Sequence, residues 1–139
     1  PTQKFEIGKG IKLIDGFDVT IVATGHLVWE SLEAAKILNE SGISAEVINI
    51  HTIKPLDEKI ILKSVQKTKC IVSAEEHNFL GGLGESISRI LSKNLPLPQE
   101  FIATNDTFGE SGTPAELMEK YGLNSNSIVD KAKKVISRK

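Results

Sequence analysis

Three histidines, two glycine-rich stretches and one cysteine are the residues of this 139-residue chain whose types could do chemistry. His26, His51 and His77 each follow a short run rich in β-branched residues, and the acids Glu75, Glu76 and Asp106 sit at similar places. Three imidazoles and a carboxylate would be adequate ligands for a metal ion if their strands were adjacent. No two of them have helical or tight-turn ligand spacing, successive histidines being about 25 residues apart. Polar residues that satisfy backbone groups at loop entries are therefore the preferred reading. His77 beside two acids has the chemistry of an acid or base, because a nearby carboxylate favours the imidazolium. It lacks a second positioned group.

Gly81-Gly82-Leu83-Gly84 lies between a strand pattern and a helix pattern, where a phosphate cradle would be. It is neither G-x-G-x-x-G nor a P-loop, and Glu85 puts a negative charge where the phosphate would lie. The glycines are read instead as a tight turn and a close approach of helix to sheet. Ser111, in the loop Asp106 to Gly112, lacks the G-x-S-x-G elbow of a nucleophile, so that loop reads as surface or interface. Cys70 reads as a small buried apolar residue. No catalytic, cofactor-binding or metal constellation is complete. The remaining rim or interface candidates are His26, His51, Glu76, His77, Gly81, Gly82, Gly84, Asp106 and Ser111.

The elements that must position them alternate along the chain. Val19 to Ala23, Ala45 to Ile50, Cys70 to Ala74 and Phe101 to Thr104 are short and nearly free of charge, as strands covered on both faces should be. Val28, Leu32, Ala35 and Leu38, and likewise Leu83, Ile87, Ile90 and Leu91, give helical apolar stripes between them. Pro55 and Asp57 mark a helix start before Ile60, Ile61, Leu62 and Val65. Thr113-Pro114-Ala115-Glu116 opens a short helix that should stop at Gly122. Asn124 caps a last helix whose apolar face is Ile128, Ala132, Val135 and Ile136, and its final turns carry Lys133, Lys134, Arg138 and Lys139 as a helix-end device rather than a binding patch. Ile11 and Leu13 before Asp15-Gly16 read as an edge strand with a hairpin into the first central strand. The expected fold is α/β: a single three-layer domain over residues 1–139, with a lead-in at 1–10. Its sheet has about five strands, mainly parallel with one antiparallel edge strand, and helices on both faces. Ligands of such sheets bind at the carboxyl ends of the strands, which is where all three histidines fall.

Composition bounds the function. Lys plus Arg number 17 against 18 Asp plus Glu, so no positive surplus exists to neutralise a nucleic acid. The longest apolar runs fall far short of the roughly 18 residues a membrane span needs. One cysteine and no signal-like segment make the cytoplasm the expected location. The chain starts at Pro1, consistent with a piece of a longer polypeptide or with loss of an initial Met.

Four segments in order resemble the C-terminal domain of transketolase: DVTIVATGHLVWESLEAAKIL, SAEVINIHTIKPLD, VSAEEHNFLGGLGESISRIL and DTFGESGTPAELMEKYGL. Lys54-Pro55-Leu56-Asp57, and Glu76-His77 with Gly81, Gly82 and Gly84, resemble motifs shared across the thiamine-enzyme superfamily. The Asp106, Phe108, Gly109, Ser111 loop leading to Tyr121-Gly122-Leu123 looks most like transketolase, especially the form split into two chains. His26 stands where a small polar residue would be expected in relatives.

The resemblance implies an enzyme of the pentose phosphate pathway that moves a two-carbon ketol unit between sugar phosphates, using thiamine diphosphate and a divalent metal, Mg or Ca. It implies equally that this part does not hold the cofactor, since the family's G-D-G motif is missing here. No residue is carried over as catalytic, cofactor-binding or metal-binding. The implied role is structural and dimer-supporting, inactive alone, with the N-terminal cofactor-binding domains or subunit as partner in a homodimeric or heterotetrameric assembly. The rim histidines and glycine loops would be exposed in the isolated chain and covered in the whole enzyme. Two alternatives stand beside this: the same domain of 1-deoxyxylulose-5-phosphate synthase or of a 2-oxo acid dehydrogenase beta subunit, and a free-standing nucleotide- or metal-binding module.

Overall fold

The computed structural model describes residues 9–51, 56–75, 82–103 and 124–139. Five strands, β1 (Ile11–Ile14), β2 (Val19–Ala23), β3 (Ala45–Asn49), β4 (Ile71–Ala74) and β5 (Gln99–Ile102), form one sheet in the order β1-β3-β2-β4-β5. Only the β1–β3 pair is antiparallel. Four helices are described: α1 (Leu27–Glu40), α2 (Glu58–Thr68), α3 (Leu83–Asn94) and α4 (Ser125–Ser137).

Strand alternation sorts the core into two layers. Val19, Ile21 and Ala23 of β2, with Val47 and Val72, pack against Leu27, Ala34 and Leu38 of α1 and Ile128, Ala132 and Val135 of α4. Val22, Ile48 and Ile71 face the other way, onto Ile61 and Val65 of α2 and Leu83, Ile87 and Leu91 of α3. All five residues of β2 are buried, which is why its sequence shows no polar alternation.

Helix boundaries follow local chemistry. Asp57 accepts the Ile60 amide with one carboxylate oxygen (3.3 Å) and the Gly10 amide with the other (2.8 Å), so it starts α2 and anchors the lead-in together. Asn124 caps α4 through the Ser127 amide at 2.9 Å. Gly42, at φ +80°, ends α1 with the Ile43 amide on the Leu38 carbonyl.

Two expectations need correction. Asp15-Gly16 does not form a hairpin, because β1 pairs with β3 and not with β2. The chain instead passes beneath the start of β3. A Cβ on Gly16 would lie 2.2 Å from the Ala45 carbonyl carbon, so only glycine permits the crossing. The Asp18 amide on the Ser44 carbonyl (2.8 Å) and the Ser44 amide on the Asp18 carboxylate (2.7 Å) staple it. Strand β5 begins at Gln99, two residues before the expected Phe101. Its Glu100 is buried against cations from α4, so a charged residue sits inside a strand. The helix expected to start at Thr113-Pro114 and stop at Gly122 lies outside the described residues.

Candidate functional site at the carboxyl rim

From β2 the chain goes to β3 on one side and from β3 across to β4 on the other, so the order reverses between β2 and β4. The carboxyl ends of these two strands flank the crevice where a sheet of this kind takes a ligand. The rim is laced by backbone bonds: the Ile50 amide donates to Ala23 (2.9 Å), Thr24 to Ala74 (3.1 Å) and Glu75 to Ile102 (2.8 Å). The strand ends expected to share one rim therefore do so, as far as Ala103.

Two helices present their N-termini to this crevice. Gly25, at φ +57°, turns the chain from β2 into α1. The first amides of α1, on Leu27, Val28 and Trp29, donate to the carbonyls of Thr24, Gly25 and His26. At α3 the amides are taken by a side chain. Glu75, next after β4 and 1% exposed, accepts the Leu83 amide on Oε1 (2.9 Å) and the Gly84 amide on Oε2 (2.6 Å). A carboxylate so placed is held by two charge-assisted bonds and by the positive end of the helix dipole.

Gly84 makes that reach possible. A Cβ there would meet Phe101 Cδ2 at 2.7 Å and Ser73 Oγ at 2.9 Å, so the first turn of α3 rests directly on β4 and β5. Gln99 adds a strut, donating to Ser73 Oγ (3.2 Å) and to the Gly84 carbonyl (2.9 Å). Gly82 is the extended N-cap residue of α3. Both Gly82 and Gly84 are buried by the chain itself, which corrects the expectation that this glycine stretch would be exposed.

His26 and His51 are exposed at the rim, where they follow the adjacent strands β2 and β3. His26 occupies the N-cap position of α1 without capping it through its side chain. Glu76, His77, Gly81, Asp106 and Ser111 lie outside the described residues. Glu75 stands at an expected strand end but is not among the rim candidates read from the sequence, although an acid ending a buried strand ahead of a glycine-rich helix start is a usable signal.

A diphosphate does not fit the described part of this rim. The α3 amides that would cradle it already hold Glu75, and an incoming anion would face that buried carboxylate. Among the described residues no three His, Cys, Asp or Glu side chains come together as a metal site. Nor does any described helix have the length and apolarity to cross a membrane. Cys70 is buried, donates to the Asp18 carbonyl (3.3 Å), and burial pushes its thiol up to about 11.

Comparison with known proteins shows the family. Residues 8–128 match the family described as Transketolase, C-terminal domain. The chain is 45% identical over 137 residues to the 6-deoxy-6-sulfo-D-fructose transketolase subunit SqwH of Clostridium sp. (strain MSTE9), covering 99% of this chain and 42% of that protein. It is 48% identical over 125 residues to the putative transketolase C-terminal section of Methanocaldococcus jannaschii, covering 89% and 39%. The 1-deoxy-D-xylulose-5-phosphate synthase of Halothermothrix orenii is 36% identical over 135 residues, covering 96% of this chain and 21% of that enzyme. Among solved structures, a chain titled "Split gene transketolase, inactive beta4 tetramer" superposes with a TM-score of 0.93 at 42% identity, covering 97% of this chain and 44% of that one. This chain thus spans less than half the length of the relatives it matches. With a family match over residues 8–128 and a mainly parallel five-stranded sheet that superposes on a split-gene transketolase chain, it belongs to the transketolase C-terminal domain family.

Proposed function

We propose that this chain is the C-terminal, supporting part of a transketolase that transfers a two-carbon ketol unit between sugar phosphates, and that it is inactive alone. Thiamine diphosphate and a divalent metal, Mg or Ca, belong in this reading to the N-terminal cofactor-binding domains or subunit. The two parts assemble as a homodimer or a heterotetramer in the cytoplasm. One observation supports the reading on the structural side: the α3 amides at the switch point are occupied by Glu75, which leaves no cradle there for a coenzyme diphosphate. The relative named as a subunit and the neighbour titled an inactive tetramer of a split transketolase support it. The exposed positions His26 and His51, with Glu76, His77, Gly81, Asp106 and Ser111, are the proposed interface residues; Gly82 and Gly84 shape that rim from beneath.

A second reading, the same domain of a 1-deoxyxylulose-5-phosphate synthase, is favoured by the 36% identity to that enzyme. The test is co-expression with the cofactor-binding polypeptide, followed by assay on three substrate sets. Xylulose phosphate plus ribose phosphate, or 6-deoxy-6-sulfofructose as donor, should turn over in the assembly and not with the chain alone. Turnover of pyruvate plus glyceraldehyde phosphate only would replace the first reading by the second. Ketol transfer by the isolated chain at the rate of the assembly would overturn both.

A further inference from the structure

Glu75 is a fully buried acid that the supporting role does not by itself require. Its backbone continues β4, its two oxygens are each bonded to a different amide of α3, and those amides are eight and nine residues away in sequence. A single carboxylate therefore fixes the end of one strand and the start of the next helix within a few ångströms, at the point where strand order reverses. The absence of a Cβ on Gly84 lets the helix sit low enough for this, and the Gln99 side chain holds the same turn from the β5 side. The neighbouring helix start, at Gly25, is closed by backbone alone. Both described helix starts beside the crevice are thus closed by groups of the chain itself, with Glu75 in the place an anionic ligand would take.

We infer that Glu75 is a positioning residue: its carboxylate stands in for a bound anion, sets the height of α3 over the sheet, and so shapes the rim surface that docks on the cofactor-bearing part of the enzyme. The inference rests on the reading given under Proposed function. The occupant of the rim is that part, because more than half of each relative's length lies outside what this chain matches. It also follows that the wild-type rim does not take free phosphate.

The experiment uses the assembled enzyme carrying wild-type chain, Glu75→Gln, Glu75→Ala, or Val65→Ala. The last is a cavity in the α2 layer of similar cost to folding, remote from the rim. Amide exchange at Leu83 and Gly84 and the dissociation constant between the two parts are measured, with and without formate at matched ionic strength. Glu75→Gln keeps the shape but turns an NH2 toward one amide. It should speed exchange at Leu83 or Gly84 by about tenfold or more and weaken assembly by a similar factor. In Glu75→Ala, formate should restore both. Val65→Ala should leave assembly within about twofold of wild type. Assembly of Glu75→Gln as tight as wild type, or equal weakening by Val65→Ala, would overturn the inference. So would wild-type Leu83 and Gly84 amides that respond to inorganic phosphate. If Glu75→Ala does not fold, Glu75→Gln decides alone. Failure of the transketolase reading looks different: an assembly that forms normally and transfers no ketol group.

Discussion

Two carboxylates lie buried at opposite ends of the sheet and are stabilised by different means. Glu75, at the carboxyl end, is bonded to two backbone amides, with no cation among its described partners. Glu46, 2% exposed at the amino end, accepts Lys67 Nζ at 2.5 Å and the Gly16 amide at 3.1 Å. Around Glu46 the polar groups multiply: Lys67 also approaches Asp15 (3.7 Å) and lies over the Phe17 ring, and Lys12 pairs with Asp15 at 2.6 Å. Alongside, Thr20 shares its hydroxyl with Ser64 and Thr68, each at 2.6 Å. The amino end is joined by side chains that come from α2 and the β1–β2 crossing, so it is a fastening internal to this chain. At the carboxyl end the buried Glu75 is met by backbone amides instead. The two ends of the sheet thus differ in how a buried acid is satisfied: by a lysine and an amide at Glu46, by two amides at Glu75.

The contrast can be broken at several points. The largest effect is expected from Gly16→Ala, because the new methyl would meet Ala45 backbone atoms that cannot rotate away. A loss upward of about 3 kcal/mol should appear in denaturant unfolding. Next is Glu75→Ala, which strands two buried amides and should cost about 2 to 3 kcal/mol by the same measurement. A loss below about 0.5 kcal/mol would show that solvent reaches those amides.

Lys67→Met sharpens the other side. Lys67 is about one-third exposed, so breaking its pair with Glu46 should cost only about 1 to 2 kcal/mol. The accompanying change in pH dependence is more specific. Burial would raise the Glu46 carboxyl, but hydrogen bonds from Lys67, Ser64 and Gly16 outweigh it and hold the group below its ordinary 4.5. A depressed folded pKa contributes stability above the unfolded value and loses it as the proton binds. Wild-type stability should therefore fall as pH drops below about 4.5, and Lys67→Met should show a shallower acid loss, read by thermal unfolding across that range. The smallest effect concerns Cys70. With its thiol pushed up to about 11 and buried, iodoacetamide at neutral pH should leave it unmodified until the chain is denatured, as mass spectrometry would show.

Much of the scaffold was legible because its signals are local. Strand β2 and the α3 stripe lie where β-branched runs and helical spacing put them, and Asp57 and Asn124 cap through neighbours three residues on. What escaped depended on distant partners. Asp15-Gly16 is a reasonable hairpin signal, and only the passage under Ala45 makes it a crossing. Glu100 argues against a strand until Arg138 and two lysines from the far end of the chain neutralise it. The same holds for the site. His26 and His51 announce themselves by type, whereas the sequence offers the position of Glu75 but not its partners, two amides eight and nine residues on.

Arg138 has one more partner, the carbonyl of Gln99 at 2.9 Å, on the outer border of β5. That guanidinium sits where a foreign strand would otherwise align. Removing Arg138 and Lys139 would strip that carbonyl of its guanidinium and leave Glu100 with weaker company. The shortened chain should then tend to self-associate edge to edge, and its solubility would decline before its folding did.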